Sequence, residues 1–192
     1  MDDRIKIVSA RTLSDDWGTL TKTTLDFRRS DGSWQRQNRE VYDHGSAAAL
    51  LLYCKSARSV ILTRQFRLPV HLEGDGGLLI EVCAGLLDGD APEVCARREA
   101  EEETGYRPDA VRHAFDAYMS PGSLTEKLYC FVGTYEPGSK VSAGGGLHGE
   151  GEDIEVLELG FDTALAMIAS GEIIDAKTIM LLQYAGLQHL LD

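Results

Sequence analysis

Four glutamates occupy five consecutive positions in REAEEETGY, at Glu99, Glu101, Glu102 and Glu103. Like charges at helical neighbour spacing repel by about 0.2–0.5 kcal/mol per pair, so a helix that gathers them needs compensation from outside itself. On a helix Glu99, Glu102 and Glu103 share one face at i, i+3 and i+4, and Glu101 points to the other side. Ala96 and Ala100 flank the trio and leave space for an approaching group. Three converging carboxylates with no lysine nearby are hard oxygen ligands, and they suit Mg2+ or Mn2+. The same pattern equally fits a solvated acidic helix face.

The rest of the chain bounds what such a face could serve. Its 192 residues, 43% apolar, suffice for one sizeable core and fall short of two full domains. A formal charge of −12 argues against a phosphate-binding surface built from protein cations, so a phosphate partner is expected to arrive with metal. The start, MDDRIKIVSA, is acidic where a signal peptide is basic, and no window reaches the roughly 18 apolar residues of a membrane span. A soluble cytoplasmic protein is expected. Cys54, Cys83, Cys95 and Cys130 stand singly in apolar surroundings and read as core thiols. His44, His71, His113, His148 and His189 show no paired ligand spacing.

The elements that must position the glutamates follow from periodicity and turn residues. Residues 4–13, 20–28 and 34–42, with a turn at Asp31-Gly32, are expected to form a small antiparallel sheet. Buried strands are expected at 47–53, 60–66 and 78–83, and further strands at 111–119, 127–135 and 154–159. Asp90 and Glu93 resemble a capping box, Pro92 suits a first turn and Gly105 a C-cap, which predicts one helix over 91–104. A long glycine-rich loop spans 137–151, and helices over 161–170 and 176–191 close the chain. This order predicts an α/β class, with a layered sandwich of sheet and helix.

The run AGLLDGDAPEVCARREAEEETGY resembles the Nudix box, G-x5-E-x7-R-E-u-x-E-E-x-G-u, where u is apolar. Gly85 stands at the opening glycine, Arg98-Glu99 at the RE pair, Ala100 at the apolar position, Glu102-Glu103 at the EE pair and Gly105-Tyr106 at the end. Only four residues separate Gly85 from Asp90, which stands at the family's first glutamate; Asp90 is read as the helix cap. The likeness extends over NREVYDHG at 38–45, RQFR at 64–67, YMSPG at 118–122 with LTE after it, GGG followed by EDIEVLEL, and GEIIDAKT at 171–178. These segments resemble a bacterial Nudix branch that acts on GDP-mannose.

The resemblance implies a Nudix α/β/α sandwich over 45–192 and an N-terminal antiparallel β-subdomain over 1–44, exchanged across a homodimer. It implies Mg2+-dependent hydrolysis of GDP-mannose to GMP and mannose 1-phosphate, with ADP-ribose or another nucleotide sugar as the alternative substrate and a non-catalytic nucleotide sensor as a further one. As metal ligands it implies Glu99, Glu103, Glu152 and the Ala84 carbonyl, with Glu102 acting through water and Arg98 orienting the cluster. Glu152 and Glu126 are the rival general bases. Substrate contacts are implied for Trp17, Asn38, Arg39, Glu40, Arg67, Gly85, Leu86, Gly151 and Lys177, as well as for Ala84, Glu103, Glu126 and Glu152. Trp17 would stack on the base, although it could also be core; Arg67 could instead pair with surface carboxylates and Lys177 be a helix-face charge. The family often has lysine at position 38, and an acidic residue where this chain has Gly151.

Overall fold

A computed structural model of the chain describes residues 3–192, apart from the Glu150 side chain. The first two residues of the acidic start lie outside the described residues. Three strands, β1 (Ile5–Asp15), β2 (Thr19–Arg28) and β3 (Trp34–Asp43), form an antiparallel sheet in chain order. The β2–β3 turn is closed as its residues require. Gly32 takes φ +87°, and Asp31 Oδ1 accepts the Ser33 amide at 2.9 Å. No residue of these strands is buried, and Ile5, Ile7, Val8, Leu13 and Trp34 are exposed apolar side chains. Tyr118–Lys127 belongs to the same compact unit: the Tyr42 amide donates to the Ser123 carbonyl at 2.8 Å, and Thr125 Oγ1 donates to Asp43 at 2.8 Å.

The second unit holds a seven-stranded mixed sheet. Its strands are β4 (Ala47–Cys54), β5 (Ser59–Phe66), β6 (Leu78–Glu81), β7 (Cys83–Leu86), β8 (Val111–Tyr118), β9 (Lys127–Thr134) and β10 (Glu155–Gly160). The order is β10-β5-β4-β9-β8, with β6 added to β5 and β7 to β4, and β4 runs parallel to β9. Burial of β4 on both faces explains its unbroken apolar run. Ala48, Leu50, Leu52 and Cys54 join Cys95, Ala96 and Ala100 of the glutamate helix in one cluster. The alternation of strand side chains turns Ala49 and Leu51 to the opposite face. There α4 (Ala176–Leu187) meets β4 and β6, and α3 (Phe161–Ser170) meets β5 and β10. Helix, sheet and helix therefore stack as an α/β/α sandwich, which fits the layered order expected from the elements and is the form the Nudix resemblance implies. No helix among the described residues is long and apolar enough to cross a membrane.

Five expectations are corrected. The single strand over 78–83 is two strands, because the chain changes partner at Val82; its amide leaves the ladder and donates to the buried Thr178 hydroxyl at 2.8 Å. A short helix, α1 (Leu68–Leu72), follows β5 where none was expected. The last helix ends at Leu187 rather than 191, before His189 with φ +53°. The helix expected over 91–104 is α2 (Pro92–Glu99), continued by a π turn over Ala100–Thr104. Asp90 does not cap it. Ala91 is the N-cap, without a side-chain bond, and Asp90 Oδ2 instead faces Arg98 Nε at 3.5 Å. Gly105 does end the helix, left-handed at φ +76°.

Candidate metal and phosphate site

The π turn decides how the glutamates are presented. Insertions of this kind recur at functional sites because they re-aim side chains without breaking the helix. Glu99 is nearly buried, and Glu103 is 1% exposed. Glu102 is half-buried, and Glu101 turns away to bind Arg107 Nε at 2.9 Å. Arg98 gathers the outer part of the cluster. Its Nη1 donates to Glu99 Oε1 at 2.7 Å and to Glu102 Oε2 at 3.2 Å, and its Nη2 reaches the Leu86 carbonyl at 3.4 Å. Arg98 is thus the cation bonded to Glu99 and Glu102, while the charge of Arg67 reaches Glu103.

Glycine is required at position 85 by this packing. A Cβ there would lie 2.2 Å from the Glu99 carboxyl, so the end of β7 forms a cradle for that group. Cys95 closes the floor, its thiol donating to the Leu86 carbonyl at 3.2 Å. Ala84 lies opposite Ala49 in the β4–β7 ladder. Burial pushes the Glu99 carboxyl up to about 7; Arg98 opposes this, while Glu102 and Glu152 add to it. Burial, then the charges of Glu99 and Glu152, hold Glu103 well above the usual carboxylate range.

The glycine-rich loop packs on the same turn. Gly145 and Gly146 amides donate to the Glu103 and Glu102 carbonyls at 2.8 and 3.1 Å, which occupies acceptors left open at a helix end. Gly144 lies so close that a Cβ would meet the Thr104 carbonyl carbon at 2.5 Å. Glu152 follows, its Oε2 accepting the Leu147 amide at 2.8 Å, after Gly151 in the left-handed region at φ +76°. The loop thereby brings Glu152 within electrostatic range of Glu99 and Glu103.

Among the described residues no three acidic, histidine or cysteine side chains already form a closed metal cage. The donor set nevertheless fits a divalent cation. Glu103 Oε2 is buried with no hydrogen-bond partner among the described residues, beside a second carboxylate that burial has made hard to ionise. A buried oxygen in that condition is destabilising unless something positive meets it.

Arg67 and Lys177 converge on a residue that spacing did not single out. Glu81, 3% exposed at its side chain, accepts from Arg67 Nε at 2.7 Å and from Lys177 Nζ. Arg67 therefore pairs with a buried carboxylate rather than a surface one, and Lys177, 13% exposed at its side chain, turns to the same carboxylate rather than standing as a solvated helix-face charge. The remaining residues of interest belong to the N-terminal unit. Trp17 is 71% exposed, so it is not core, and stacks on His44 at 5.1 Å. Asn38 accepts from Thr24 Oγ1 at 2.7 Å, Arg39 donates to Gln37 at 2.8 Å, and Glu40 faces Lys22 across the ladder. Glu126 lies in the segment held by Tyr42 and Asp43.

A sandwich whose glutamate helix, glycine cradle and acidic loop are arranged in this way defines a Nudix domain, and the chain belongs to the Nudix family. The NUDIX domain family matches residues 43–177. A second family, described as GDP-mannose pyrophosphatase NudK N-terminal domain, matches residues 4–42. The chain is 50% identical to a GDP-mannose pyrophosphatase of Shigella flexneri and 49% identical to one of Escherichia coli O157:H7, in each case over the full length of both chains. Nudix enzymes generally use divalent metal ions.

Proposed function

We propose that this protein is a Nudix pyrophosphatase that hydrolyses the phosphoanhydride of GDP-mannose to GMP and mannose 1-phosphate, with Mg2+ as its metal and Mn2+ as a substitute. The substrate assignment is supported by 50% identity, over the whole of both chains, to proteins named for that activity. One observation in the site carries the chemistry: the buried, unpartnered Glu103 oxygen beside Glu99.

Glu99, Glu103, Glu152 and the Ala84 carbonyl would hold the metal, which supplies charge stabilisation at the phosphate oxygens and acidifies a bound water. Glu102 would assist through water. Arg98 fixes the Glu99 rotamer through its 2.7 Å bond and keeps Glu102 on the same side. Gly85 leaves the cradle open to the Glu99 carboxyl. Glu152 is the assigned general base: it sits on a loop beside the glutamate pair, and release of its oxygen from the Leu147 amide would free it to take a proton from the attacking water. Oxygen of that water bonds to phosphorus as the bridging P–O bond breaks, and the leaving phosphate retains the electron pair. Arg67 and Lys177 supply N–H donors to the diphosphate, with Leu86 and Gly151 bordering the sugar phosphate.

Trp17, Asn38, Arg39, Glu40 and Glu126 are assigned to nucleotide and sugar contacts, with Glu126 the second candidate base. An N-terminal sheet with no buried strand residue fits a homodimer in which a second copy covers it. A soluble cytoplasmic enzyme is the setting we assign. Purified protein incubated with Mg2+ and separate nucleotide sugars tests the reading. GDP-mannose should be turned over fastest, and preference for ADP-ribose would overturn the substrate assignment.

A further inference from the structure

Glu81 has no part in the chemistry above, yet both of its carboxylate oxygens are engaged and its side chain is buried. Its two oxygens are divided between two cations from distant parts of the sequence, Oε2 to Arg67 Nε at 2.7 Å and Oε1 to Lys177 Nζ. Lys177 also donates to Asp175 Oδ1 at 3.0 Å, and Asp175 Oδ2 caps α4 by accepting the Thr178 amide at 2.9 Å. One strand-end carboxylate thereby ties the chain after β5 to the first turn of α4. Arg67 meets Glu81 through Nε, and its side chain is 39% exposed.

Two simpler roles fail on physical grounds. Burying ions is a poor source of stability, because desolvation offsets much of their attraction and apolar replacements are often neutral or better. Attraction of anions by net charge fails too, since the two cations are offset by Glu81 and Asp175. What the arrangement does provide is direction, with N–H donors at fixed positions beside the glutamate site. Arg67 is near enough to Glu103 for the two charges to interact.

We propose that Glu81 is a positioning residue for diphosphate recognition, holding Arg67 and Lys177 as one rigid donor pair for the anionic bridge of the substrate. This rests on the reading of the site as a nucleotide-sugar hydrolase. Glu81→Gln separates positioning from charge balance, because the two roles predict opposite signs. A mere neutraliser, once removed, leaves an extra positive charge by the phosphates, and binding tightens. A positioning residue, once removed, raises KM for GDP-mannose about tenfold with kcat within about threefold, the pattern of lost uniform binding.

Calorimetric binding of inorganic pyrophosphate in the presence of Mg2+ should weaken in parallel by about tenfold. Unchanged or tighter binding in Glu81→Gln overturns the proposal, as does absence of pyrophosphate binding by the wild-type protein. If Glu81→Gln does not fold, the charge-balanced pair Glu81→Gln with Lys177→Met is compared with Lys177→Met alone. A further loss of pyrophosphate affinity supports action through Arg67, and equal affinity refutes it. Wild-type protein that binds pyrophosphate but leaves GDP-mannose intact would defeat the substrate reading, while the calorimetric comparison would still decide the role of Glu81.

Discussion

Glu103 and Glu101 lie two residues apart on the same turn and should answer to mutation in opposite ways. Glu103 is buried with an unpaired oxygen, whereas Glu101 is held outward by Arg107. Glu103→Gln should fold and lose at least about a hundredfold in kcat, the scale of removing a charge-stabilising group. Glu101→Gln should stay within about threefold of wild type, since it breaks one exposed ion pair. Steady-state kinetics on the two variants checks both. The raised carboxyls add a pH signature to the metal-free protein. Glu99, pushed up to about 7 by burial, binds a proton in the folded state at pH values where the unfolded chain has released it. Stability from this group is therefore fully present below its unfolded value near 4.5 and is lost as pH rises through about 7. Thermal melts in EDTA should show a lower Tm at pH 8 than at pH 5, Mg2+ should restore it at pH 8, and Glu99→Gln should flatten the trend. A Tm that rises from pH 5 to pH 8 without metal would contradict the burial argument.

At the scale of elements, the glycine loop and the π turn form one unit. Gly144 and Gly105 approach so closely that either Cβ would strike opposing backbone, at 2.5 Å from Thr104 and 2.4 Å from Ser142 respectively. Gly144→Ala should release the loop, since φ is +69° and the obstacle is main chain that cannot rotate aside. The expected result is a fall in kcat of about tenfold or more as Glu152 loses its place, with faster proteolysis within 137–151. The box made the glutamate helix, its left-handed end at Gly105 and the Arg98 pairing readable in advance, because they depend on local spacing. The π turn was not readable, since it changes no residue pattern over five positions. The split at Val82 was hidden for a different reason: it depends on Thr178, nearly a hundred residues away. Glu81 left a fainter trace, as a lone acid inside the apolar strand LLIEVC; a charge there is buried and must be partnered, but the partners, Arg67 and Lys177, come only from the tertiary fold.

For the whole molecule, the N-terminal strands raise the question of assembly. A three-stranded sheet with Ile5, Ile7, Val8 and Leu13 exposed has too little buried surface to be stable alone, and a second copy of the chain is the occupant we assign to it. Sedimentation equilibrium should give a dimer, and Ile7→Lys should shift it toward monomer with loss of activity. A wild-type monomer with full turnover would rule out this assignment. The family profiles divide the chain between residues 42 and 43, while compactness places Tyr118–Lys127 with the N-terminal sheet. That second placement was not legible in the sequence, because it rests on hydrogen bonds between Tyr42, Asp43, Ser123 and Thr125 across some eighty residues.

The central claim is that the buried glutamate pair, charged with metal, directs water to phosphorus. GDP-mannose can be opened at the phosphoanhydride, giving GMP and mannose 1-phosphate, or at the glycosidic carbon, giving GDP and mannose. With Arg98, Glu99, Glu102 and Glu103 all present, charge stabilisation falls at the phosphate oxygens. Hydrolysis in 18O-labelled water with Mg2+, followed by mass spectrometry, should place the label on the phosphate of GMP or of mannose 1-phosphate. Label in free mannose, with GDP as the other product, would contradict the account.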